Sequence, residues 1–187
     1  MAESAFAVNV PEAEPYVGAL RSALDPTAKL GVPAHITVLY PFMSPERITV
    51  AVLGQARTAL SEINSFAFRL ANVRRFPSAL YLEPDPAEPF ICLTQALVQR
   101  FPQYLPYGGQ YRSIAPHLTI AQAGEKEHDE AQRQVAAALP PSGIQASCRE
   151  VVLIENSSGR WRQMHTFPLP TANHLLQTNG QERPAAD

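Results

Sequence analysis

The feature of this chain that most restricts its fold is an order of elements that occurs twice, strand, helix and strand, with His-x-Thr on the second strand each time. In the first copy, the apolar run from Ala5 to Val10 predicts a strand, and Tyr16, Val17, Leu20 and Leu24 recur at helical spacing within a predicted helix from Glu12 to Leu24. A second strand is expected from Ala34 to Tyr40 (AHITVLY), closed by Pro41. In the second copy, a strand from Ala79 to Leu82 and a helix from Phe90 to Phe101 lead through a loop rich in Gly, Pro and Tyr to a strand from Pro116 to Ala121 (PHLTIA). A helix over 45–63 and a strand over 66–76 lie between the copies. A helix over 126–139 and two last strands, Ser147 to Glu155 and Trp161 to Leu169, follow them. Strands and helices interleaved in this way, with hairpin-like links such as Asn156-Ser157-Ser158-Gly159, predict an α+β fold with mainly antiparallel sheets.

Residues two apart on a strand share a face, so His35 and Thr37 point one way while Ile36 and Val38 point the other. His117 and Thr119, against Leu118 and Ile120, repeat the division. Two histidines and two hydroxyls suit in-line displacement at phosphorus. One imidazole takes a proton from the attacking oxygen and the other protonates the leaving oxygen, and both can do so near neutral pH. The threonine hydroxyls can donate to the nonbridging phosphate oxygens. The sequence carries no HxxxH, HExxH or cysteine cluster, so no metal ligand set and no cofactor are expected.

At these residues the sequence resembles the 2H phosphoesterases, and within them the 2′-5′ RNA ligase family and the bacterial cyclic phosphodiesterases. The resemblance rests on 32–42 (VPAHITVLYPF) and 116–121 (PHLTIA). Weaker support comes from 6–11 (FAVNVP) and from Gly159-Arg160-Trp161 leading to Phe167-Pro168-Leu169. It implies a bilobal fold with pseudo-twofold symmetry, in which two sheets flank a central cleft, helices cover the outer faces and each wall carries one His-x-Thr. It also implies hydrolysis of 2′,3′-cyclic phosphates, on RNA ends or small cyclic nucleotides, to 2′-phosphates, or the related reversible 2′-5′ ligation. His35 and His117 would then be catalytic, and Thr37 and Thr119 would bind phosphate. The alternative is a module on the same fold that binds a nucleotide or single-stranded RNA without turnover.

Aromatic residues near the motifs, Tyr40, Phe42, Tyr107 and Tyr111, are candidates to stack on a base, with Tyr107 and Tyr111 flanking Gly108-Gly109 as a substrate-facing lid. Tyr104 shares their loop. Arg112 is the candidate phosphate-holding arginine, with Arg74, Arg75, Arg160 and Arg162 as weaker ones. His128 is expected at the surface. His165 lies on a strand without a partnering Thr, and His174 lies beyond the domain. Cys92 and Cys148 lack a CxxC partner and suit a reduced cytoplasmic protein. The net charge of −2 excludes the broad basic field of a nonspecific binder of long nucleic acid, and no apolar stretch of about 18 residues predicts a membrane span. The expected organisation is one bilobal domain over 1–170 and a disordered tail over 171–187.

Overall fold

The computed structural model describes residues 2–171 and contains two four-stranded antiparallel sheets. The first has the order β2-β1-β7-β8, from β1 (Ser4–Asn9), β2 (His35–Leu39), β7 (Glu150–Glu155) and β8 (Arg162–Pro168). The second has the order β5-β4-β3-β6, from β3 (Phe66–Phe76), β4 (Ala79–Asp85), β5 (Leu118–Ala121) and β6 (Ile144–Cys148). In both, the His-x-Thr strand lies at an edge and pairs antiparallel with the first strand of its own unit, β2 with β1 and β5 with β4. The two orders correspond position by position, which is the pseudo-twofold arrangement expected.

The helices are α1 (Glu14–Leu24), the single turn α2 (Pro26–Lys29), α3 (Val50–Leu60), α4 (Glu88–Arg100) and α5 (Glu125–Ala138). Helix α1 begins after a 3-10 turn at Pro11–Ala13, and α3 is capped by the Thr49 hydroxyl accepting from the Val52 N–H. Each unit's helix reaches across to the other lobe, α1 packing against β5 and α4 against β2. Two hydrogen bonds seal this exchange. The buried Thr94 hydroxyl on α4 donates to the Val38 carbonyl at 2.8 Å, and the Gln122 N–H donates to the Leu24 carbonyl at 2.8 Å. The main core runs through both lobes, uniting Phe6, Ile36 and Leu39 with Leu80, Leu93, Leu97 and Leu118, all fully buried.

Two expectations are corrected. The stretch 147–155 is not one strand. Arg149 separates β6, which closes the second sheet, from β7, which lies inside the first. Nothing in Ser147-Cys148-Arg149-Glu150 signals a turn, because the chain passes from sheet to sheet while staying extended. His128 is buried, 3% exposed, and its Nε2 accepts the Ala123 N–H at 3.3 Å, so it serves the link between β5 and α5 instead of facing water. The tail and His174 lie outside the described residues.

Candidate active site

Burial along the two edge strands alternates as the sequence predicts. His35 and Thr37 keep some exposure while Ile36 and Val38 are buried, and His117 and Thr119 keep some while Leu118 and Ile120 are buried. The two imidazoles are anchored identically. His35 Nδ1 lies 2.8 Å from the Pro33 carbonyl, and His117 Nδ1 lies 2.7 Å from the Ala115 carbonyl, each two residues back along the chain. A carbonyl only accepts, so each Nδ1 carries the proton and each Nε2 is left as the working nitrogen.

A cavity of about 1020 Å³ lies beside these strands, lined by Thr37, His117 and Thr119 together with Tyr107, Tyr111 and Arg112. His35 is set back from the cavity wall. It is near enough to His117 for that imidazole's charge to help depress its own pKa, which desolvation, the dominant cause, pulls down to about 4. His117 is also lowered by desolvation, against the opposing pull of its carbonyl partner. Both rings are therefore held toward the neutral form in the resting site.

His117 sits among aromatic rings, with Phe76 at 5.1 Å, Tyr81 at 5.4 Å and Tyr107 at 6.5 Å between ring centroids. Tyr107 crosses the cleft: its N–H donates to the Tyr40 carbonyl and its phenol lies against the Thr37 hydroxyl. It holds a positive φ of 52°, the left-handed region that a non-glycine residue rarely adopts. Tyr111 packs edge-on against it at 5.6 Å and is 66% exposed.

The remaining candidates, Arg112 excepted, fall elsewhere. Phe42 is 5% exposed, packed edge-on against Phe6, Phe101 and Tyr104, so its face is unavailable to a base. Tyr40 donates its hydroxyl to Glu3 at 3.0 Å and packs on Trp161, away from the cavity. Arg74 pairs with Glu83, Arg75 with Asp129 and Arg162 with Glu155, and none of these, nor Arg160, lines the cavity. Arg112 lines it and makes no ion pair among the described residues. His165 faces Arg57 and Phe167. Cys148 is buried, and burial raises its thiol to about 12. Among the described residues no group of three or more His, Cys, Asp or Glu is placed to hold a metal ion.

Sequence reasoning missed Gln95 and Gln99, which follow Thr94 on the cavity-facing side of α4, and Phe76 at the β3–β4 turn. It also missed the buried pair Arg21 and Asp25 behind His35. A signal for the pair was present, because Arg21 follows Val17 by four residues on the apolar stripe of α1, where a charge is out of place.

A family model of the 2′-5′ RNA ligase superfamily matches residues 10–160, most of the chain. The chain belongs to this superfamily. The resemblance to the 2H phosphoesterases is thereby borne out. A protein of Bacillus cytotoxicus named as a phosphoesterase is 30% identical over 113 residues, and the chain spans 63% of that relative's length. Among solved structures, E. coli LigT in complex with 3′-AMP superposes with a TM-score of 0.57 at 17% identity, covering 89% of this chain and 97% of that one. LigT is also known in complex with NADP+ (TM-score 0.55, 17% identity, 90% and 98% covered). TT0787 of Thermus thermophilus superposes with a TM-score of 0.58 at 18% identity, covering 91% and 99%. At these identities the structures establish the shared α+β fold.

Proposed function

We propose that this protein is a cyclic phosphodiesterase that hydrolyses 2′,3′-cyclic phosphates of small nucleotides or RNA ends to 2′-phosphates, with reversible 2′-5′ ligation as the related reaction in which a 5′-hydroxyl takes the place of water. The observation that carries the reading is the matched tautomer of the two histidines, each with Nδ1–H given to a carbonyl and Nε2 bare. One Nε2 takes a proton from water as its oxygen bonds to phosphorus. The other, protonated, gives its proton to the 3′-oxygen as the bond from phosphorus to that oxygen breaks. Thr37 and Thr119 donate to the nonbridging oxygens, and the chemistry as written calls on no metal. Tyr107, Tyr111 and Arg112 along the cavity supply stacking faces and one cation for the nucleotide. The ligands of the LigT complexes, 3′-AMP and NADP+, are nucleotides of the size this reading requires.

The test is turnover of a panel of 2′,3′-cyclic nucleotides in the presence of a chelator, with products resolved into 2′- and 3′-phosphates. His35→Ala and His117→Ala are expected to lower kcat/KM by about a hundredfold or more, as for loss of a general acid or base. Thr37→Ala and Thr119→Ala are expected to lose about 1.5–3 kcal/mol of stabilisation of the charged phosphate. Wild-type turnover in either histidine variant removes that residue from the mechanism.

A further inference from the structure

Behind His35 lies an ion pair unlike the others among the described residues. Arg69 with Asp85 and Arg74 with Glu83 are exposed pairs along β3 and β4, whereas Arg21 and Asp25 are 2% and 0% exposed. Burying two charges costs more than a surface pair returns, and an apolar pair of the same volume is often as stable, so fold stability alone does not account for it.

The contacts of the pair converge on one segment. Arg21 directs Nε and Nη2 to Asp25 Oδ2 at 3.2 and 2.8 Å, and Nη2 also reaches the Val32 carbonyl at 3.4 Å. Asp25 is fixed from its other side by Thr27, whose N–H and hydroxyl donate to Oδ1 at 2.9 and 2.8 Å. Glu14, 4.0 Å from Arg21, accepts the Ala34 N–H at 2.6 Å. The three residues before His35 are thus held one after another: Val32 by Arg21, Pro33 by the imidazole itself and Ala34 by Glu14. The corresponding segment before His117 has no such anchoring by charged side chains among the described residues.

We propose that Arg21 and Asp25, with Glu14, form a positioning device for His35, holding the Pro33 carbonyl so that the imidazole keeps its Nδ1–H tautomer and presents a bare Nε2. The device rests on the assignment of His35 as a proton-transfer group. The charged and titratable groups that bear on His35 are Arg21 and Glu14 from α1, Asp25 at the start of α2 and His117 beside β5. Arg21 and Asp25 act on its pKa in opposite senses, so within the intact pair each charge opposes the other at the ring.

Nitrogen NMR of the imidazoles in the ligand-free protein tests this without reference to turnover. R21Q leaves Asp25 unbalanced and is expected to raise the His35 pKa. D25N keeps a good helix cap, leaves Arg21 unbalanced and is expected to lower it further. Opposite shifts show only that both charges reach the ring. The device is supported if the Nε2–H tautomer of neutral His35 gains population in the variants, and a tautomer unchanged in both overturns it. If a single variant fails to fold, the apolar pair R21M/D25L replaces both charges at once. In that double variant the His35 pKa should stay near its starting value while the Nε2–H tautomer gains population and kcat falls about tenfold, the size expected for loss of a charged hydrogen bond. An unchanged tautomer and kcat in the folded double variant overturn the proposal. R21K, which keeps the charge but not the fork, should recover part of the loss. Absence of turnover by the wild type on every cyclic nucleotide would defeat the phosphodiesterase reading and leave the NMR outcome to judge the device alone.

Discussion

A histidine works through whichever nitrogen is not already engaged, and here the same backbone gesture engages Nδ1 in both motifs. The pH dependence follows from the environment of the rings. One must be neutral to accept a proton and the other charged to donate one, so the rate has a limb on each side. Because burial lowers both pKa values, His35 to about 4, the bell in kcat/KM, which reports the free enzyme, should have its maximum below 6.5. A bound phosphodiester anion stabilises imidazolium, so the bell in kcat should lie at higher pH. Rate profiles measured where chemistry limits turnover check both, and coincident bells centred above 7 would contradict the electrostatics described. At this scale the sequence revealed both His-x-Thr pairs, because a period of two forces His and Thr onto one face. It misled on Phe42 and His128, since nearness along the chain to a motif or a charge run says nothing about which side of the sheet or helix a ring meets.

Among the elements, α4 is where lobe packing and site meet. Its Thr94 is tied to the carbonyl of Val38, the neighbour of Thr37 on β2. Thr94→Val keeps the shape and leaves that carbonyl buried without its donor, so a loss of about 1–3 kcal/mol in urea unfolding is expected. A loss under about 0.5 kcal/mol, within the range of ordinary surface changes, would mean that the carbonyl finds another donor. Leu97→Ala, one turn further and fully buried, should cost about 2–5 kcal/mol through the void it leaves. Most elements were legible in the sequence: β3 matches its predicted range, and α1, α4 and α5 shift by a residue or two at their ends. The β6–β7 break was not, because local propensity carries no mark of which sheet an extended residue joins.

For the molecule as a whole, helices exchanged between lobes and one core shared by both sheets predict a single unfolding transition, with fluorescence and circular dichroism tracing the same curve. Its dependence on pH has a definite sign. With folded pKa values below the ordinary 6.5, the unfolded chain binds more histidine protons than the native one between those limits, so stability rises with pH there. The melting temperature should therefore fall as pH drops from about 6.5 to about 5, above the range where most carboxylates titrate, and His35→Gln should flatten that decline.

The two sheets also differ in how the chain supplies them. The second is built from one continuous stretch, 66–148, whereas the first joins β1 and β2 from the start to β7 and β8 from after that stretch. On a ribosome the strands of the second sheet are all released while the first still lacks half of its own. During synthesis β1 and β2, with the first histidine, lack their sheet partners until residue 168 has emerged, so the nascent chain holds every strand of the sheet beside His117 before it holds every strand of the sheet that carries His35.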